Sequence, residues 1–311
     1  MIKEGQTFEG GTRLSTYASF VKLPHTVFAL PFALVGVTLA SYRYPLTLRT
    51  VGWTVVAFTA ARFAAMGFNR IVDREYDAAN PRTQGREIPR GAMSVLEAKI
   101  SVAGASVLFV IAAWMLNPLC FVLAPLALAW VFFYSFTKRF TRFAHLVLGL
   151  GLAIAPVGGF LAVAGHWSAR WWMLCALALA VASWVGGFDI LYALPDTEFD
   201  RAHGLHSIPA AVGVPRAIVV ARALHVATVL LLIVTGLGAG SMHFYYTGVA
   251  VAAGVLLYEH SLVQADDLSR LDAAFFTLNG VMSIVFLLFV LAERIYAQVW
   301  LQAALERGRG L

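Results

Sequence analysis

The length of the uncharged segments constrains the fold of this chain more than any other feature. Ser101 to Thr137 contains no charged side chain over 37 positions, and Ala223 to Tyr258 contains none either. About 20 apolar residues in a helix cross a bilayer core, so each segment is long enough for two crossings. Asn117-Pro118 divides the first segment, and the glycine-rich stretch from Gly236 to Gly240 divides the second. Each segment therefore predicts a helical hairpin within a membrane.

Composition extends this prediction to the whole chain. Hydrophobic residues make up 60% of the 311 positions and charged residues only 13%, with a mean hydropathy of +0.76, whereas about 25% of a typical soluble domain is charged. The apolar runs do not alternate as barrel strands do. We predict an all-α membrane protein of nine transmembrane helices in a single domain, residues 1–311. The predicted spans lie near residues 26–41, 50–68, 96–116, 118–137, 145–164, 171–190, 216–236, 243–261 and 273–292.

The distribution of Lys and Arg predicts the orientation in the membrane. The leader, residues 1–25, and the loops after spans 2, 4, 6 and 8 hold 16 of these residues, and the other side holds 6. We therefore expect a multi-pass protein of the plasma (inner) membrane, with a cytoplasmic amino terminus and the carboxyl terminus on the opposite side. The net charge of +6 is explained by these loops, so nucleic-acid binding is not indicated. Cys120 and Cys175 have no spacing partner, which argues against a disulfide or zinc site.

Acidic residues are concentrated where two of the predicted spans end. Asn69, Asp73 and Asp77 are spaced by four residues, which predicts that they share one helix face. A similar pattern returns 123 residues later, as Asp189, Tyr192, Asp196 and Asp200. Five of the eight Asp residues lie in these two places. Because four predicted spans separate the patterns, both are expected to open on the cytoplasmic side and to face one another.

Carboxylates and phosphate oxygens are the ligands that Mg²⁺ prefers. Two Asp pairs on facing helices predict a site where Mg²⁺ bridges a diphosphate, and Arg70, Arg82, Lys138 or Arg139 could bind the remaining phosphate oxygens. Apolar walls would suit a diphosphate joined to a long hydrocarbon. The alternative is that each acidic stripe only solvates a helix end.

Four motifs follow one another along the chain. They are Asn69-Arg70-x-x-Asp73-x-x-x-Asp77, Asn80-x-Arg82-Thr83, Tyr134-Ser135-Phe136-Thr137-Lys138-Arg139 and Asp189-x-x-Tyr192-Ala193-x-x-Asp196-x-x-x-Asp200. Together they resemble the UbiA superfamily of intramembrane aromatic prenyltransferases, over nearly the whole chain. The resemblance implies a nine-helix bundle whose central cavity opens to the cytoplasm and laterally to lipid, with segments 69–95 and 196–215 as its cap loops. It also implies Mg²⁺-dependent ionisation of a polyprenyl diphosphate and attack by an aromatic ring on the allylic cation, a reaction of the EC 2.5.1 type.

The resemblance also implies roles for individual positions. Asn69, Asp73, Asp77, Asp196 and Asp200 match the residues that hold Mg²⁺ and the diphosphate. Asp189 resembles the acid that polarises the acceptor's hydroxyl; the alternative is a capping acid. The further substrate-binding candidates are Arg70, Arg82, Tyr134, Lys138, Arg139, Tyr192 and His25. Lys138 resembles a diphosphate contact and Arg139 a partner for an acceptor carboxylate, although both would look the same as cytoplasmic anchors. Tyr192 positions the diphosphate or only packs, and His25 contacts the acceptor or is a surface residue.

The sequence limits the possible acceptor molecules but does not identify one. Three segments resemble the 4-hydroxybenzoate polyprenyltransferase-like branch that serves the futalosine route to menaquinone more than they resemble the ubiquinone enzymes. These segments are Leu23 to Phe32, Glu198 to Asp200 and Gly204 to Pro209. We therefore expect an aromatic acid, either 4-hydroxybenzoate or 1,4-dihydroxy-6-naphthoate, and no obligate protein partner. A tetrapyrrole or lipid-phosphate acceptor is the alternative within the superfamily. An ion-coupled transporter is the alternative from another class, but acids at helix ends on one side favour the enzyme.

Overall fold

The computed structural model describes residues 12–168, 170–268, 270–271 and 277–309, without the side chains of residues 23–28 and 300–309. Regular structure in this part of the chain consists of helices alone. In chain order they are α1 (Arg13–Phe20), α2 (Leu23–Ser41), α3 (Leu48–Val72), α4 (Arg74–Ala79), α5 (Val95–Leu116), α6 (Pro118–Thr137), α7 (Ala144–Ala164), α8 (Trp171–Tyr192), α9 (Thr197–Ala202), α10 (Ile208–Val212), α11 (Val214–Ala239), α12 (His243–Leu262) and α13 (Asn279–Arg309).

Seven helices of the described chain are long and apolar enough to cross a membrane: α3, α5, α6, α7, α8, α11 and α13 as far as Val299. The protein is therefore an integral, multi-pass membrane protein. Helices α2 and α12 lie at the other two predicted spans. The apolar segment Ala29–Ser41 of α2 is shorter than the seven membrane-spanning helices. The number of nine crossings stays a prediction.

Side chains at the helix ends explain where the chain turns. The predicted break at Asn117-Pro118 is confirmed, because α5 ends at Leu116 and the Asn117 side chain accepts a hydrogen bond from Cys120 N. Its amide nitrogen also donates to the carbonyl of Leu161 in α7, which fixes the hairpin against its neighbour. Ser94 caps α5 in the same way, with its hydroxyl accepting from Glu97 N. Gly240, with a positive φ of 75°, ends α11.

Helix α8 is the centre of the bundle and is buried along most of its length, between α7 and α11. Trp184 of α8 packs against Phe32 of α2, with ring centroids 4.8 Å apart, and Phe32 packs in turn against Phe286 of α13 at 5.9 Å. Burial of such rings in a membrane bundle stabilises the structure through close packing, because lipid is as apolar as the core. The second acidic motif thus lies at the end of the most deeply buried of the seven long apolar helices.

The acidic motifs do not lie on continuous helices, although Asn69 and Asp73 share a face as predicted, with Asn69 Nδ2 donating to Asp73 Oδ2 one turn further on. Helix α3 ends at Val72, Asp73 is the residue between α3 and α4, and Asp77 lies in the separate short helix α4. Likewise α8 ends at Tyr192, a 3₁₀ turn spans Leu194–Asp196, and Asp200 lies in α9. Pro195, in that turn, cannot donate the backbone hydrogen bond that would continue α8.

Candidate active site

A cavity of about 710 Å³ lies among α3, α6, α7 and α8. Its wall follows α3 from Thr54 to Asp73, which is roughly 28 Å at the rise of an α-helix. Apolar side chains line most of its length, and charged side chains gather at the end where the two acidic motifs lie. The cavity is therefore a long apolar chamber with a polar mouth.

Twelve of the thirteen predicted site residues line this cavity. They are Asn69, Arg70, Asp73, Asp77, Arg82, Tyr134, Lys138, Arg139, Asp189, Tyr192, Asp196 and Asp200. The side chain of the thirteenth, His25, lies outside the described residues. The two motifs, 123 residues apart in sequence, thus meet at one cavity.

The first motif is held by hydrogen bonds and ion pairs at the end of α3. Asn69 Nδ2 donates to Asp73 Oδ2 at 2.8 Å, and Arg86 Nη1 lies 2.5 Å from Asp77 Oδ1. Burial, and then the neighbouring carboxylate of Asp77, raises the pKa of Asp73 to about 6. The Asp73 carboxyl therefore lies in a buried, negatively charged setting, in which a bound cation would stabilise its charged form.

The second motif is bound to the loop that follows the first. Asp196 accepts hydrogen bonds from Arg82 Nε at 2.9 Å and from Arg82 Nη2, and Asn80 Nδ2 donates to it at 3.0 Å. Burial raises the pKa of Asp196, but the hydrogen bonds and charge of Arg82 outweigh it and keep the pKa below its ordinary value. Arg82 also donates to the hydroxyl of Tyr192 at 3.1 Å. The two halves of the mouth are therefore connected directly.

Lys138, which follows the end of α6, lines the cavity together with the acids of both motifs. Its burial lowers the pKa, but the charges of Asp200, Asp189, Asp196 and Asp73 together raise it above the ordinary value of lysine. The backbone carbonyl of Lys138 accepts a hydrogen bond of 2.7 Å from His206 N, which fixes the loop after α9 to the end of α6. A lysine held charged at this position can bind an anion that enters the mouth.

Asp189 has a partner that the sequence analysis left without a role. His145, in the first turn of α7 and fully buried, places Nδ1 2.6 Å from Asp189 Oδ2. A carboxylate only accepts hydrogen bonds, so Nδ1 of His145 is the donor. Oδ2 of Asp189 is thereby oriented toward α7. No sequence pattern indicates this pair, because 44 residues separate its members and they share no regular spacing.

The residues fit a magnesium ion that shares its coordination with a diphosphate. In the part of the chain that the structure describes, no three His, Cys, Asp or Glu side chains stand close enough to hold a metal by themselves. However, Asp77 Oδ2 and Asp200 Oδ2 are buried and have no hydrogen-bond partner among the described residues. Such oxygens are the hard ligands that Mg²⁺ takes, usually one or two carboxylates with the substrate's phosphates.

Three further basic residues, to which the sequence analysis assigned no role, also line the cavity. Lys22, at the start of α2, donates to the Tyr192 hydroxyl at 3.1 Å and looked like a leader anchor. Arg86 pairs with Asp77 and looked like a positive loop residue. Arg62 lies within α3, where a single charge in an apolar run was the available signal.

The comparisons with known proteins agree with this architecture. Residues 29–288 match the UbiA prenyltransferase family. A 4-hydroxybenzoate octaprenyltransferase of Aromatoleum aromaticum is 30% identical over 74% of this chain and 77% of its own length. The apo structure of a UbiA homologue from Aeropyrum pernix K1 is 34% identical, with a TM-score of 0.78 over 86% of this chain and 97% of that one. A UbiA homologue from Archaeoglobus fulgidus, solved with DMAPP and Mg²⁺, shares the fold at 18% identity, with a TM-score of 0.67 over 90% and 99% of the two chains.

Membrane helices that surround an apolar cavity with carboxylates at its opening are typical of an intramembrane enzyme that acts on lipid-like substrates. This chain belongs to the UbiA prenyltransferase family, and it is a prenyltransferase of the EC 2.5.1 type.

Proposed function

We propose that the enzyme transfers a polyprenyl group from a polyprenyl diphosphate to an aromatic carboxylic acid in quinone biosynthesis, with Mg²⁺ as cofactor. The observation that carries the proposal is that both acidic motifs line the mouth of one long apolar cavity. The relatives named above support it, one by its name and one by its bound DMAPP and Mg²⁺. The enzyme acts in the plasma (inner) membrane, with its amino terminus and the cavity mouth on the cytoplasmic side and its carboxyl terminus on the other.

The diphosphate of the donor binds at the mouth. The residues that would hold Mg²⁺ are Asn69, Asp73, Asp77, Asp196 and Asp200. When bound, the metal ion would offset the negative charge that develops on the departing diphosphate. Lys138, Arg70 and Arg82 bind phosphate oxygens, and their positive charge favours the leaving group. The hydrocarbon of the donor lies along the apolar wall of the cavity, which also keeps water away from the allylic carbon.

The aromatic acceptor binds beside Asp189. The Asp189 carboxylate accepts a hydrogen bond from the acceptor's hydroxyl, which increases electron density in the ring. The bond from the allylic carbon to the diphosphate oxygen breaks, a ring carbon bonds to that allylic carbon, and the ring then loses a proton. His145 keeps Asp189 oriented during this exchange.

The proposal is tested with the purified protein in detergent and a polyprenyl diphosphate. Diphosphate release and prenylated product should require both Mg²⁺ and an aromatic acid, and excess EDTA should abolish both. Turnover that continues unchanged in EDTA would remove the metal from the mechanism.

The acceptor is identified by competition. When 4-hydroxybenzoate and 1,4-dihydroxy-6-naphthoate are offered together, mass spectrometry of the products shows which ring is alkylated. If neither acid is alkylated, the acceptor part of the proposal is wrong.

A further inference from the structure

A buried cluster of polar side chains lies outside the cavity, where α8, α11, α12 and α13 meet. It consists of Trp184, His225, Glu259, His260 and Asn279, none of which lines the cavity. Except for the half-buried His260, each of these residues is at most 3% exposed. The proposed function uses none of them, although buried titratable groups are costly to keep within membrane helices.

One branch of the cluster runs from Trp184 to Glu259. Trp184 Nε1 donates to Asn279 Oδ1 at 2.7 Å, and Asn279 Nδ2 donates to Glu259 Oε1 at 3.2 Å. An indole N–H can only donate, so it fixes the Asn279 amide with its oxygen toward Trp184 and its NH₂ group toward Glu259. Glu259 Oε2 is buried and has no hydrogen-bond partner among the described residues. This branch therefore joins α8, α13 and α12, and it ends at a carboxyl group.

A second branch reaches the backbone of the same tryptophan. His225 Nε2 lies 3.2 Å from the carbonyl oxygen of Trp184, and His260 Nε2 lies 3.0 Å from His225 Nδ1. A carbonyl oxygen only accepts, so His225 Nε2 is the donor. In a neutral pair, His225 Nδ1 then accepts and His260 Nε2 donates. Arg222 lies within electrostatic range of His260, which disfavours a positive charge on the pair.

The buried glutamates at the two ends of α12 have opposite surroundings. Glu293 of α13 and Glu259 are each 1% exposed. At the start of α12, where the helix dipole is positive and stabilises a carboxylate, Glu293 accepts hydrogen bonds from three backbone N–H groups. Glu259 lies in the last turn of α12, at the negative end of the dipole. It accepts one amide hydrogen bond and pairs with no cation in the described chain.

We propose that Glu259 is a protonated, uncharged acid at neutral pH, and that its ionisation is a switch that loosens α12 and α13 from α8. An ionised Glu259 would be a buried, unpaired charge, which costs far more free energy than a buried hydroxyl. Because the Asn279 amide donates to Oε1, the proton resides on Oε2. The other titratable or charged groups at the cluster are His225, His260 and Arg222, whereas α8 and α13 contribute the uncharged Trp184 and Asn279.

Trp184 connects this switch to the cavity. Its ring packs edge-on against Phe188, with centroids 5.0 Å apart, and Phe188 lines the cavity beside Asp189. A carboxylate at Glu259 needs water or further donors, which reach it only if α12 and α13 move apart. Trp184 then loses the partner of its indole N–H. Glu259 is therefore a positioning residue that acts on the cavity wall through Asn279 and Trp184.

Equilibrium unfolding of the full-length protein in mixed detergent micelles tests the protonated state. Above about pH 5 an unfolded chain releases the glutamate proton that the folded protein still holds. The unfolding equilibrium constant of wild type, relative to that of Glu259→Gln, should therefore rise about tenfold per pH unit between about pH 5 and about pH 7. Glu293→Gln is the matched control, and its ratio to wild type should stay constant over this range.

Infrared spectra at neutral pH give an independent signature of the same state. Wild type should show the carbonyl stretch of a protonated carboxylic acid, and Glu259→Gln should lack this band. Glu293→Gln should retain it. These spectra and the unfolding measurements need no substrate, so they hold even if no aromatic acid is alkylated.

Prenyl transfer tests the connection to the cavity, and this measurement alone rests on the proposed function. Glu259→Gln should match wild type in kcat and KM at neutral pH, because glutamine imitates the uncharged acid. The fall of kcat at alkaline pH should begin at higher pH in Glu259→Gln than in wild type. Identical alkaline profiles would overturn the control of activity by Glu259.

Two results would overturn the protonated state itself. One is an unfolding ratio of wild type to Glu259→Gln that does not change with pH, and the other is an infrared acid band that Glu259→Gln retains. If Glu259→Gln is not folded at pH 5, Glu259→Met, which is also uncharged, replaces it in both measurements.

Discussion

Individual side chains determine the charge balance at the cavity mouth. Asp196 is bound by Arg82 and Asn80, and Asp77 is bound by Arg86, so each acidic motif is partly neutralised by the loop after α4. The diphosphate of the proposed donor would compete for the same arginines. If the arginines bound phosphate, Mg²⁺ at the mouth would pair with the carboxylates that they release, so that no buried charge is left unpaired.

Removing one carboxylate from either motif should abolish turnover. Asp73→Asn or Asp196→Asn keeps the shape of the side chain but loses the charge. We therefore expect kcat to fall at least 100-fold, which is a rise of about 3 kcal/mol in the activation free energy; a bound metal ion supplies several kcal/mol. The measurement is prenyl transfer at saturating Mg²⁺. Asp266→Asn, exposed after α12 and outside the cavity, is the control and should behave as wild type. An active variant of Asp73 or Asp196 would favour the view that the acids only solvate helix ends.

His145 should act through Asp189 on transfer and not on donor binding. Loss of a hydrogen bond to a charged group costs about 1.5–3 kcal/mol, so His145→Leu should lower kcat for transfer about 10- to 100-fold. His145→Asn should recover most of this activity, because the Asn amide can donate from a position near that of Nδ1. Donor-analogue affinity with Mg²⁺ should stay unchanged in both variants. Equal activity of the Leu and Asn variants would argue against a positioning role.

At the scale of elements, close helix packing positions the cavity wall. Gly159 of α7 faces the backbone of α2, where an added Cβ would meet the carbonyl oxygen of Ala33 at 2.1 Å. Gly36 of α2 faces α7 in turn, with the carbonyl of Pro156 at 1.9 Å from the added atom. Small residues at such contacts allow membrane helices to approach closely.

Two adjacent glycines of α7 should therefore respond differently to alanine. Gly159→Ala should destabilise the protein by about 1–3 kcal/mol, because backbone atoms of α2 would have to move. Gly158→Ala meets no atom within 4 Å and should be neutral or slightly stabilising. Thermal unfolding of both variants in detergent measures the difference. Equal melting temperatures would show that α2 and α7 separate easily.

At the scale of the whole molecule, an even number of predicted spans between the motifs keeps both at one side of the membrane. The loop between α4 and α5 and the loop between α2 and α3 are then on opposite sides. Gln84 and Arg43 are exposed in these two loops. They report the orientation without touching the cavity wall.

Labelling of single cysteines should confirm this orientation. In a variant with Cys120 and Cys175 replaced by Ala, Gln84→Cys should react with a membrane-impermeant maleimide only in inverted vesicles, and Arg43→Cys only in right-side-out vesicles. The reverse pattern, or labelling of both cysteines from one side, would contradict the predicted topology. Prenyltransferase activity of each variant confirms that its fold is intact.

The sequence by itself determined the membrane class, the hairpin break at Asn117-Pro118 and nearly all the residues of the mouth. These depend on local properties, namely hydropathy over about 20 residues, the missing backbone N–H of proline and the spacing of carboxylates. The same local view treated each motif as one regular helix, whereas the structure interrupts the helix at Asp73 and again at the turn Leu194–Asp196. In the second motif, Pro195 lacks the backbone N–H that would continue α8.

Only the tertiary structure decided which charges are partners. The contacts of His145 with Asp189, of Arg82 with Asp196 and of Lys22 with Tyr192 join residues 44 to 170 positions apart. No periodicity in the sequence encodes such pairs, since they depend on how α7, α8 and the start of α2 pack. The exposure of Arg62 to the cavity without a carboxylate partner in the described chain is likewise a property of the packed bundle.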